Sequence, residues 1–112
     1  MSTRCLIAIH NKGQGYQSVY CHFDGYDSAV GAVLRQNYKT LSSAEALIAL
    51  GDLSYVRDDK VCAYHRDHGD SWHQTQPKFS SSERTLLRLS EDCGADYLYV
   101  FTHEHWETQC LM

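Results

Sequence analysis

The chain has 112 residues, of which 43% are hydrophobic and 21% charged, with one proline and seven glycines. These values describe one globular domain and exclude collagenous, low-complexity and disordered chains, which need more Pro and Gly or fewer apolar residues. Ten Lys and Arg against 14 Asp and Glu leave a formal charge of −4. That is the wrong sign for a module built to grip phosphates, so no direct nucleic-acid binding is expected.

In chain order, residues 4–10 form an apolar, β-branched run that predicts a strand. Asn11-Lys12-Gly13-Gln14-Gly15 then turns the chain, and residues 16–23 resume an extended pattern, so the two runs predict a hairpin. Asp24-Gly25-Tyr26-Asp27-Ser28 breaks the second strand, with Gly25 supplying a positive φ and Asp27 or Ser28 an N-cap. Ala29, Val30, Val33, Leu34 and Tyr38 share one helical face, which predicts a helix over 28–38. Ser42-x-x-Glu45 has capping-box spacing and Gly51 stands where a helix ends, so a second helix lies between them. Residues 61–65 predict a strand and residues 66–80 a polar loop. Ser80-x-x-Glu83 opens a third helix, carried by Leu86, Leu87, Leu89 and Cys93 and ended by Gly94. Residues 97–101 and 106–111 predict a closing hairpin turned near His103-Glu104-His105. The order is α+β: a single domain over 1–112, with an antiparallel sheet from the N- and C-terminal hairpins plus a middle strand, covered by about three helices.

The five cysteines are Cys5, Cys21, Cys62, Cys93 and Cys110, an odd number with no C-x-x-C pair. Free thiols are expected. No apolar run approaches the ~18–20 residues of a membrane span or the core of a signal peptide, so a cytoplasmic location is expected.

Three stretches could carry chemistry. Tyr20-Cys21-His22-Phe23-Asp24-Gly25-Tyr26 collects two tyrosines, an imidazole and a carboxylate. On a strand Tyr20 and His22 share a face, His22 and Asp24 could orient one another, and Tyr20 and Tyr26 could flank a planar ligand. The competing reading is a turn in which Asp24 and Gly25 serve the backbone alone. Because Cys21 and His22 point to opposite faces, they do not make a nucleophile–base pair. His65-x-Asp67-His68-x-Asp70-x-x-His73 holds ligand types that suit zinc, but at a spacing that matches no helical or knuckle site. No metal site and no cofactor are therefore expected, and His65, Asp67, His68 and His73 are the nearest approach to one. His103-Glu104-His105-Trp106-Glu107 lacks the second histidine of H-E-x-x-H and reads as a turn followed by a packed Trp106. No phosphate-binding glycine loop or nucleophile elbow is present, and nothing in the sequence favours an enzyme.

Several motifs together resemble a family of small proteins encoded by bacteriophages, prophages and plasmids. They are Thr3-Arg4-x-Leu6-Ile7-Ala8-Ile9, Val19-Tyr20-Cys21-His22-x-Asp24-Gly25-Tyr26, Gly31-x-x-Leu34-x-x-x-Tyr38 and Leu50-Gly51-Asp52-Leu53-Ser54. In the second half, Tyr64-His65-Arg66-Asp67-x-Gly69-Asp70 and Tyr97-Leu98-Tyr99-Val100-Phe101 with Trp106 continue the likeness. The resemblance spans nearly the whole chain and implies a genomic origin but no catalytic residues. By analogy of origin and size it leads to a non-catalytic binder, active in the host cytoplasm, that inhibits a host defence or regulatory complex by steric occlusion. An anti-CRISPR protein acting on a CRISPR effector is the leading form. The alternative is a protein that sequesters a small nucleotide signal, and a third reading is a metal-dependent hydrolase. Tyr20, His22, Asp24, Tyr26 and Arg4 are the expected binding residues. No membrane partner is expected, and pairing into a homodimer through a sheet edge is open.

Overall fold

A computed structural model describes residues 2–112. Its seven strands are β1 (Cys5–Asn11), β2 (Gly15–Cys21), β3 (Leu53–Val56), β4 (Val61–Ala63), β5 (Lys78–Ser80), β6 (Tyr97–Thr102) and β7 (His105–Cys110). The helices are α1 (Ala32–Asn37), entered through a π-helical turn at Asp27–Gly31, then α2 (Leu41–Ile48), α3 (Tyr64–His68), α4 (Trp72–Thr75) and α5 (Glu83–Asp92).

The strands form one sheet in the order β4-β3-β2-β1-β6-β7, with β5 pairing the beginning of β2. Both expected hairpins are present, β1–β2 in register from Cys5↔Cys21 to Asn11↔Gly15 and β6–β7 from Tyr97↔Cys110 to Thr102↔His105. They join through β1 and β6, which run parallel, as do β2 and β3. The sheet is therefore mixed rather than antiparallel throughout, because each of these junctions is reached by a helical crossover instead of a tight turn.

β1 explains the layering. Its residues Cys5, Leu6, Ile7, Ala8 and Ile9 are all buried, as a strand covered on both faces requires. One face packs Cys5, Ile7, Val19, Tyr99 and Phe101 against Val30, Leu34, Leu47 and Ile48 from α1, α2 and the turn before them. The other packs Leu6, Ala8 and Leu98 against Leu86 of α5.

Both capping boxes exist, each two residues from its expected place. α2 is capped by Thr40 and Ser43, and α5 by Ser82 and Thr85. In α5 the shift has a clear cause: Ser80 pairs with Tyr16 as the last residue of β5 and is buried, so the chain cannot turn helical before Ser82. Ahead of α1, Tyr26 takes the N-cap position without a side-chain bond, and Asp27 instead forms a two-pronged pair with Arg35 at 2.9 and 3.2 Å. The strand expected over 61–65 stops at Ala63. The Asp67 carboxylate accepts the Ala63 N–H at 2.8 Å and starts a helix there. The segment expected as loop over 66–80 contains most of α3, α4 and β5.

Candidate functional site

The turn after β2 is built by backbone contacts from four directions. The N–H groups of His22 and Phe23 donate to the carbonyls of Leu53 and Ser54 at 3.0 and 2.9 Å, which extends the β2–β3 pairing past the last residue of β2. Asp24 adopts φ +59°, so the left-handed residue of the turn is Asp24 and not Gly25. Gly25 is needed for close approach instead. A Cβ there would lie 2.8 Å from the Arg4 carbonyl carbon and 2.9 Å from the Cys5 nitrogen and Thr3 oxygen. The Gly25 N–H donates to Thr3 at 2.8 Å, and its carbonyl accepts the buried Tyr99 hydroxyl at 2.7 Å. Burial pushes the Tyr99 phenol far above its ordinary range, so the hydroxyl stays a donor. The Val30 N–H closes the turn on the Asp24 carbonyl at 3.1 Å.

Side chains of the turn separate into two groups. Tyr20 and His22 share a face, and the Tyr20 hydroxyl lies 2.6 Å from His22 Nδ1. Burial raises the Tyr20 phenol pKa, while the Arg4 charge beside it pulls the other way. The Tyr20 N–H donates to Asp52 Oδ1 at 3.0 Å, and Lys78 Nζ stands 3.9 Å from that carboxylate. Burial raises the Asp52 carboxyl pKa, against the pull of the Tyr20 N–H and Lys78. Tyr64 faces the same region, and burial raises its phenol pKa against the pull of Ser54 beside it.

Asp24 and Tyr26 stand apart from this cluster. His22 takes Tyr20 as its partner in place of Asp24, whose carboxylate lies 3.9 Å from Arg57. The Arg57 guanidinium sits 4.1 Å over the Tyr55 ring, and the His22 ring meets Phe23 edge-on at 4.5 Å. Phe23 is 43% exposed and Tyr26 42%, two exposed large rings at one turn, whereas the exposed Trp72 and Phe79 lie elsewhere on the surface. The outer rim of the turn is thus Phe23, Tyr26 and the Tyr55–Arg57 stack. Phe23, Tyr55 and Arg57 were not legible as site residues, and neither were Asp52 and Lys78. The available signal was Asp52 itself, a carboxylate placed between a helix-ending glycine and an apolar strand.

The histidine-rich segment satisfies itself locally. His65 Nδ1 lies 2.7 Å from the Asp70 carbonyl oxygen, and its ring meets Trp72 edge-on. His68 Nε2 lies 3.3 Å from Cys62 Sγ, and its ring meets Tyr64. Asp67 is bound by Arg66 and by the Ala63 N–H, which hold its carboxyl down at about 2. His73 is exposed on α4, away from these pairs. Among the described residues no three His, Cys, Asp or Glu side chains converge as metal ligands would.

A cavity of about 340 Å³ opens between α5 and the β6–β7 hairpin, with His10, Tyr16, Glu83, Val100 and Glu107 in its lining. No Lys or Arg lines it. A nucleotide phosphate placed there would meet two carboxylates and no fixed cation.

Comparison with family models, curated proteins and solved structures finds no match to this chain.

Proposed function

We propose that this chain is a non-catalytic binding protein of bacteriophage, prophage or plasmid type. In this reading it inhibits a host defence or regulatory complex in the host cytoplasm by covering part of its surface, as an anti-CRISPR protein does. The carrying observation is the pairing of exposed rings with a fixed backbone: Phe23 and Tyr26 project from a turn tied to Thr3 ahead of β1, to β3, to β6 and to the π-helical turn before α1. Tyr and Arg in a compact, preorganised patch have the make-up of an interface hot spot, and a rigid loop loses little entropy on docking. The net charge of −4 would favour encounter with the basic surfaces of nucleic-acid machinery. No helix of the described residues is long and apolar enough to cross a membrane.

The test is affinity capture from a bacterial host lysate with the wild-type chain and with Phe23→Ala/Tyr26→Ala, read by quantitative mass spectrometry. One large complex enriched by the wild type and lost at least ~10-fold in the double variant supports the reading. A captured complex that the double variant keeps would move the contact elsewhere. A nucleotide retained by both would replace this reading with the sequestering one.

A further inference from the structure

The two ends of the strand order β4-β3-β2-β1-β6-β7 are finished differently. β4 is three residues long, pairs β3 across a register shift between Leu53 and Tyr55, and leads directly into α3. Shortness, irregularity and an adjoining helix are devices that stop an edge from pairing. β7 is neither short nor irregular and leads into no helix; α1 meets it on one face, where Trp106 Nε1 donates to the Tyr38 carbonyl at 2.8 Å. It is six residues long, keeps unbroken register with β6, contains no proline or lysine, and is exposed at every position except Trp106.

Hairpin geometry shows which groups that edge offers. A two-residue turn, with His103 and Glu104 both at positive φ, makes Thr102↔His105 a hydrogen-bonded pair. Bonded and non-bonded pairs then alternate, so Glu107 and Gln109 also bond inward, and so does Leu111, whose N–H reaches the Asp96 carbonyl at 2.8 Å. The N–H and C=O groups of Trp106, Thr108 and Cys110 therefore point outward, where the sheet has no further strand.

We infer that this edge pairs antiparallel with the same edge of a second copy of the chain, about a two-fold axis at Thr108. The segment is self-complementary in that register. Trp106 stands opposite Cys110 and Glu107 opposite Gln109, so all three outward positions exchange bonds and no like charges face each other. Centring on Glu107 sets two carboxylates against one another, and centring on Trp106 runs Thr108 onto Glu104 of the turn. Thr108 paired with Thr108 is itself a favourable cross-strand contact. Glu107, Thr108 and Gln109 of this edge also line the 340 Å³ cavity, so the second copy would stand beside it.

Sedimentation equilibrium on the full chain tests this directly. The expected result is a dimer of twice 12.8 kDa, with a dissociation constant below about 100 µM. Thr108→Lys should weaken it at least ~30-fold with an unchanged circular-dichroism spectrum, since a lysine on an edge blocks pairing. Should that variant misfold, Cys110→Ser/Thr108→Cys gives an independent answer. Opposed residues lie about 5.5 Å apart at Cα, within disulfide range, so oxidation should link position 108 to itself across the dimer. Cys110→Ser/Gln109→Cys should not link in this way. A monomer at every concentration, a dimer indifferent to Thr108→Lys, or linkage at 109 in preference to 108 would each overturn the inference.

Discussion

Residues 20–26 and residues 65–73 are about equally dense in rings, imidazoles and carboxylates taken together, yet they fold on opposite principles. In the first stretch the backbone is held by distant elements, Thr3, Leu53, Ser54 and Tyr99, and several side chains remain free at the surface. In the second, most polar side chains are taken by neighbours in the chain, Asp67 by Ala63 and Arg66, His65 by Asp70 and His68 by Cys62, while Trp72 and His73 stay exposed on a short local helix. A polar group that has met its partner within a few residues is mostly holding a short helix together. A ring left exposed on a backbone fixed from afar is available to something else. Density of reactive side chains does not separate the two cases; the origin of the constraints does.

That contrast breaks most sharply at Gly25. Gly25→Ala pushes a methyl group into the Thr3–Cys5 backbone, which cannot yield as a flexible side chain would. The expected cost is about 3 kcal/mol, read as a large loss of melting temperature. Tyr99→Phe comes next. It leaves the Gly25 carbonyl buried without its donor, for a loss of about 1–3 kcal/mol by urea denaturation. A change under a few tenths of a kcal/mol in either variant would mean that the turn is not held as described.

The second stretch should respond weakly. Replacing His65, His68 and His73 together by alanine is expected to cost about 1 kcal/mol or less, since all three are exposed and His65 and His68 bond only to residues nearby in the chain. EDTA should leave the melting curve unmoved, and a shift on chelation would restore the metal reading.

Acid titration should separate Asp67 and Asp52 by sign. The Asp67 carboxyl is held at about 2, below the ordinary 3.8, by Arg66 and the Ala63 N–H. Its contribution is present above about pH 4 and is lost as pH falls toward 2, and Asp67→Asn should flatten that limb. For Asp52 burial raises the pKa, so its protonation favours the fold below the ordinary carboxylate value. That benefit fades as pH rises through the raised value, and Asp52→Asn should remove the opposite slope. The smallest expected effect is on Phe23→Ala/Tyr26→Ala, which should melt within about 2 °C of the wild type, because both rings are exposed.

The fold class was legible where the signals were periodic or local. The apolar runs of β1 and β6 and the glycines at 51 and 94, both at positive φ after a helix, marked the frame. What stayed hidden depended on long-range pairing. β3 and β5 are four and three residues long and are strands only because β2 and β4 lie beside them. The same limit applied at the site. The motif from Tyr20 to Tyr26 was visible, and so was the shared face of Tyr20 and His22. Asp52 and Lys78, which complete that cluster, and Arg57, which faces Asp24, come from elsewhere in the chain.

Native-state hydrogen exchange tests the contrast between the two stretches most directly. The N–H groups of Phe23, Gly25 and Val30 should exchange only through global unfolding, as slowly as those of β1 and unchanged in Phe23→Ala/Tyr26→Ala. The N–H groups of Gly69 and Asp70, bonded only within the α3 turn, should open locally and exchange faster. Fast local exchange at Phe23 and Gly25, matching that of Gly69 and Asp70, would contradict the claim that the turn is a rigid mount for exposed rings.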